Sequence, residues 1–232
     1  MMFLKKNPIL KTLLFAFISI AFLVSCTHRE PKIFVIGDSI SLFYGPYLQQ
    51  DFSGKFIYDR KGGTGDAFKD LDNPTGANGG DSQMVLDYLK ELHAKKDFKT
   101  DYFLINCGLH DIKHKSMDGP AQISLGDYKK TLEEIISLTR QMKAKMIWLN
   151  STPVVDSIHN SRVPFFRFNK DVVAYNSAAD SIMNHAHVPI IDLNTFTQKY
   201  IPEGYMDHVH YKEDVRKKQA DFIMQNLEEI VK

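Results

Sequence analysis

The strongest constraint on this chain is its alternation of short, almost wholly apolar runs with longer amphipathic ones. Lys32–Ile36 reads KIFVI, apolar at consecutive positions. Such a run suits a strand covered on both faces. Further strands are expected at 55–58 (a weaker signal), 102–106, 146–149 and 189–192. Helices are expected at 42–52, 82–93, 127–143, 168–184 and 213–231. The 127–143 segment carries the apolar stripe Leu132, Ile135, Ile136 and Met142. Repeating strand-then-helix order calls for parallel strands, whose right-handed crossovers lay helices over both faces of a sheet. The expected fold is α/β: a three-layer α/β/α, flavodoxin-like five-stranded parallel sheet. Seven of the 13 glycines (54, 62, 63, 65, 76, 79 and 80) mark a long loop with one helical turn near 66–71.

Composition narrows the class. The 29 basic and 28 acidic residues give a net charge of +1. That balance offers no basic stripe for nucleic acid, so none is expected as a partner. A hydrophobic share of 44% and a charged share of 25% exclude a disordered or collagen-like chain. Two cysteines cannot build a disulfide framework. Oligomeric state is left open.

Residues 1–25 read as an export signal. Lys5, Lys6 and Lys11 precede an apolar run from Leu13 to Val24, too short to span a bilayer comfortably. The run ends in Leu23-Val24-Ser25-Cys26, which resembles the bacterial lipobox. That resemblance implies cleavage before Cys26, acylation of its thiol, and a protein lipid-anchored to a bacterial membrane at the cell envelope. The expected organisation is a signal peptide at 1–25, a lipidated cysteine with a short tether at 26–31, and one domain at 32–232. Removing 25 of 232 residues leaves 207. Cys107 is then the remaining thiol, so the core must hold without an internal disulfide.

In parallel sheets of this type, ligands bind beyond the carboxyl ends of the strands. Three clusters fall there: Gly37-Asp38-Ser39, Gly108-Leu109-His110-Asp111, and Asp207-His208-Val209-His210 before the last helix. A serine hydroxyl needs an adjacent base to attack at neutral pH. Histidine can take that proton, and a carboxylate fixes its tautomer.

Taken together, the three clusters resemble the blocks of the SGNH hydrolases, the GDSL-type esterase/lipase family, in order and across essentially the whole mature domain. The resemblance implies Ser39 as nucleophile, His210 as base and Asp207 as its orienting acid, with no cofactor. It further implies an oxyanion hole from the Ser39 N–H, a glycine N–H and a third-block asparagine side chain. Gly80, directly before Asp81-Ser82 and the 82–93 helix, is the preferred glycine, with Gly65 as the alternative. Residues 61–78 would then be an insertion rimming the site. His110 stands where the family has asparagine. The expectation is that its imidazole N–H completes the hole and that activity tracks two histidines; the alternative is a structural loop histidine.

The expected reaction is hydrolysis of a small-molecule or glycan O-acyl ester, O-acetyl carbohydrate foremost, through an acyl-serine. Acyl transfer, lipase or thioesterase chemistry, and a silent glycan-binding protein remain alternatives. No metal is expected: His110 with His114, or His208 with His210, gives pairs without a third clustered ligand. Cys107 reads as a buried structural thiol. Arg162 and Arg167 read as surface residues that could hold an anion. Phe165 and Phe166 read equally as core or substrate platform.

Overall fold

The structure, a computed structural model, describes residues 29–231. The expected signal at 1–25 and the lipidation site at Cys26 lie outside the described residues. Pro31–Lys232 forms one compact unit. No helix among the described residues is long and apolar enough to cross a membrane.

The chain runs β1 (Lys32–Ile36), α1 (Ser39–Asp51), β2 (Ile57–Arg60), α2 (Thr64–Ala67), α3 (Ser82–Ala94), β3 (Tyr102–Ile105) and α4 (Leu125–Gln141). It continues through β4 (Lys145–Leu149), α5 (Asp156–His159), α6 (Asn169–His185), β5 (Ile190–Ile191), α7 (Leu193–Gln198) and α8 (Glu213–Ile230). The strands form one sheet in the order β2-β1-β3-β4-β5, and all neighbours are parallel. Helix α1 packs with α8, while α4 packs with α3 and α6. These are the two helical layers of an α/β/α sandwich.

Burial explains the strand sequences. Ile33, Phe34, Val35 and Ile36 are buried, as are Phe103, Leu104 and Ile105 of β3 and Ile147, Trp148 and Leu149 of β4. Each such side chain contributes about 1.5–3 kcal/mol by leaving water. β2 is the exception. It begins two residues later than expected and ends in Asp59-Arg60, because as an edge strand its position is fixed by pairing (Lys32↔Ile57 to Val35↔Arg60) more than by burial.

Helix α1 starts three residues earlier than its apolar pattern indicates. The Asp38 carboxylate caps it by accepting the Ile40 N–H at 2.9 Å, which brings Ser39 into the first turn. Helices α5 and α7 were not expected; four and six residues are too few to show a period. The glycine-rich loop holds α2, and Ala67 and Ala77 pack with Leu42 in a small satellite core of their own.

Sheet order reverses at β1, with β2 to one side and β3 to the other. The crevice beyond β1 and β3 is therefore where this topology leaves room for a ligand.

Candidate active site

The loops after β1 and β3 and the loop before α8 meet at that crevice. Ser39 is the first residue of α1, so its N–H is one of the donors a helix start leaves without an internal acceptor. The Asp207–His210 loop is pinned on both sides: Met206 N–H donates to His210 O at 2.7 Å, and Lys212 N–H donates to Gly204 O at 2.8 Å.

Ser39 Oγ lies 2.8 Å from His210 Nε2, and His210 Nδ1 lies 2.7 Å from Asp207 Oδ2. An ionised carboxylate only accepts, so Nδ1 carries the ring proton and Nε2 accepts from the serine hydroxyl. Asp207 Oδ1 also accepts the backbone N–H groups of Val209 and His210, at 2.9 and 2.8 Å. Burial alone would raise the Asp207 pKa. The bonds and charge of His210, with those two N–H groups, outweigh it and hold the carboxyl well below its ordinary range. The His210 ring meets Phe43 edge-on at 5.1 Å.

His110 is buried, and its Nδ1 is sealed in with no hydrogen-bond partner among the described residues. Burial, then the charges of Arg167, Lys113 and His210, push its pKa well below the usual value. The ring is therefore neutral across ordinary pH, and a titrating second histidine at this position is not what the structure holds. A buried N–H without an acceptor is costlier than a bare lone pair, which puts the proton on Nε2.

The two candidate glycines are separated clearly. Gly65 is exposed within α2. Gly80 is buried directly before Asp81, whose carboxylate caps α3. Its N–H already donates to Asn78 Oδ1 at 3.1 Å. Gly79 beside it lies so close to Gly37 that an added Cβ would come within 3.0 Å of the Gly37 carbonyl oxygen. That contact keeps the Gly80 segment against the start of α1.

Asp111 is fully buried and accepts the Ser82 N–H at 3.0 Å and the Ser82 hydroxyl at 2.5 Å. Burial raises its pKa to about 7 even against those bonds. This carboxyl ties the His110 loop to the start of α3, a link the sequence analysis missed.

Around the triad the expectations fare unevenly. Cys107 is fully buried, and burial pushes its thiol pKa well up, in keeping with a structural role. His114 is held by Gly119 O at 2.7 Å and Asp171 Oδ2 at 2.9 Å, apart from His110. Asp207, His208 and His210 do form a three-ligand cluster within 4.8 Å, contrary to the expectation of no third ligand. Both His210 nitrogens are engaged in the triad, and His208 Nδ1 faces His159 Nδ1 at 2.9 Å, so the set is not free to bind a metal. Arg162 is exposed as expected, but Arg167 is only 2% exposed. It is drawn inward because its Nε–H donates to Leu109 O at 2.6 Å.

Comparison with known proteins identifies the family and the fold. Residues 35–215 match the GDSL-like Lipase/Acylhydrolase family. An acetyl xylan esterase superposes with a TM-score of 0.63 at 16% identity, over 84% of this chain and 99% of its own. A GDSL-like lipase from Bacteroides thetaiotaomicron gives 0.62 at 14% identity, over 94% and 97%. A psychrotrophic esterase from Pseudoalteromonas sp. gives 0.61 at 13% identity, over 87% and 99%. These identities speak for the fold alone. No curated protein matches the chain in sequence. With the family matched over most of its length, on a five-stranded parallel sheet of the SGNH type, the chain belongs to the GDSL-like lipase/acylhydrolases, hydrolases of ester bonds.

Proposed function

We propose that this protein hydrolyses O-acyl esters through an acyl-Ser39 intermediate. The observation that carries the reading is the unbroken hydrogen-bonded chain from Ser39 Oγ through His210 to Asp207, at 2.8 and 2.7 Å. Oγ attacks the ester carbonyl as His210 Nε2 takes its proton. Nδ1–H remains on Asp207, which steadies the imidazolium. The tetrahedral oxyanion accepts from the Ser39 N–H, the Gly80 N–H and His110 Nε2–H. Gly80 can turn its N–H from the neutral Asn78 amide because a charged acceptor forms the stronger bond. His210 then protonates the leaving alkoxide. Water, deprotonated by the same nitrogen, releases the acid and restores Ser39. The chemistry requires no cofactor.

The substrate class in this reading is a short-chain ester, O-acetyl carbohydrate foremost, met at the cell envelope by a protein anchored through Cys26. The polar, glycine-rich rim around the serine and the signal-like N-terminus support it. The preformed triad favours turnover over silent glycan binding.

The test is p-nitrophenyl acetate hydrolysis by the purified full chain beside Ser39→Ala. Loss of at least about 10³-fold in kcat is expected from removing the nucleophile. Equal rates for the two proteins would overturn the esterase reading. For the anchor, Cys26→Ala should move the protein from the membrane to the soluble fraction; unchanged fractionation and an unlipidated N-terminal peptide would refute it.

A further inference from the structure

A second constellation stands beside the triad. Arg167 is almost wholly buried, yet no carboxylate among the described residues pairs with it. Its Nε–H is used on Leu109 O, the carbonyl directly before His110. Its two terminal NH2 groups have no hydrogen-bond partner among the described residues. A buried cation left in this state is costly unless something else supplies the negative charge. The acids whose charge it feels are Asp72, part exposed, and Asp38, whose own pKa burial has raised.

The surroundings show what would fit. The Arg167 guanidinium and the Lys113 ammonium stand over the same Phe165 ring, at 4.9 and 4.3 Å from its centre. His159 meets that ring at 5.4 Å. His159 in turn contacts His208, whose ring is 5.9 Å from that of His210. His159 is fully buried with Nε2 unpartnered. On the other side, Phe165 and Lys113 open into a cleft of about 510 Å³ that Lys115, Ser116 and Gln122 also line. The cleft therefore offers two ammonium groups and the Phe165 side chain, and the buried, unspent Arg167 guanidinium stands directly against that side chain.

Resting on the esterase reading above, we infer that Arg167, with Lys113 and Phe165, forms a carboxylate-recognising subsite, and that the ester acted on belongs to an acidic sugar unit. The planar fork of two NH2 groups matches the two oxygens of a carboxylate. The half-buried Phe165 holds the two cations beside the cleft, whose volume falls within the range of small-molecule sites. Arg167 is a specificity-determining residue here, not a participant in bond breaking.

The experiment compares O-acetylated methyl glucuronoside with O-acetylated methyl glucoside, a pair that differs only in the carboxylate. Wild-type full chain is expected to favour the acidic ester by at least about tenfold in kcat/KM. In Arg167→Gln that preference should fall to within about twofold of unity. Arg167→Lys should retain only part of it, because the charge stays but the fork is lost. A merely structural arginine would lower both rates together and leave the ratio intact, which would overturn the inference. So would a wild-type ratio near one. A binding arm needs no turnover: calorimetry on Ser39→Ala should show methyl glucuronoside binding and methyl glucoside not, with binding lost on adding Arg167→Gln. If p-nitrophenyl acetate turnover proves independent of Ser39, the esterase reading fails, and the binding arm still decides the subsite. Equal binding of the two sugars would end it.

Discussion

Replacing His110 by alanine tests whether an imidazole does the work of an amide in the oxyanion hole. The ring is neutral, and its Nδ1 is walled off without a partner, so the proton on Nε2 is the donor at issue. One donor aimed at developing charge accounts for about 3 kcal/mol of barrier, or roughly 10²-fold in kcat. The bond forms with the oxyanion rather than with the bound ester, so KM should stay within about twofold. Emptying a buried site also costs stability, about 0.5–3 kcal/mol; thermal unfolding read in parallel separates that loss from the kinetic one. His110→Asn restores an N–H of shorter reach and should recover part of the rate. The assay is initial-rate hydrolysis of p-nitrophenyl acetate at temperatures where both variants are folded. Because His110 does not ionise near neutrality, the acid limb of the pH–rate profile should have a slope of one for the wild type. A kcat for His110→Ala within threefold of wild type, or an acid limb of slope two, would refute the argument.

Three further outcomes follow from the same structure. Asp207→Asn should keep the fold and lower kcat by about 10³–10⁴-fold, since the imidazole loses its orienting acceptor; steady-state kinetics with a circular-dichroism control reads this, and a loss under tenfold would contradict it. Gly108→Ala should destabilise the protein by about 1–3 kcal/mol in urea unfolding, because φ is +144° there and the new Cβ would stand 2.4 Å from Ser151 Oγ; an unchanged midpoint would contradict it. Asp111 should make stability fall as pH rises. Its folded pKa of about 7 exceeds the ordinary 3.8, so the folded state binds the extra proton between those values. Relative to Asp111→Asn, the wild type should lose about 3 kcal/mol between about pH 4.5 and about pH 7.5; a pH-independent difference would sink this assignment.

The strands and the blocks that carry Ser39, Asp207 and His210 were legible in the sequence for a shared reason: each is written in contiguous residues. β1 shows itself because five neighbours are nearly all apolar, and Ser39, Asp207 and His210 sit in short blocks at strand or helix ends. β2 lies two residues beyond its apolar signal because an edge strand takes its register from a partner, which local sequence does not carry. α5 and α7 are shorter than any period. Arg167 carries no local sign of its burial, since arginine is usually a surface residue. Only the folded chain brings the Leu109 carbonyl to it across 58 positions. The bond from Ser82 to Asp111 spans 29 positions and leaves no trace in either segment. His110 was visible as a departure from the family pattern, but its charge state depended on burial and on cations placed by other loops.

The Asp111 carboxyl also decides how the floor of the crevice behaves mechanically. It joins the turn carrying Gly80 to the turn carrying His110, which otherwise hang from different strands. Two supports that could drift apart become one rigid jaw, held to the start of α1 where Gly79 meets Gly37. A disturbance on either side of that jaw is felt on the other, so damage to its two halves should not simply add.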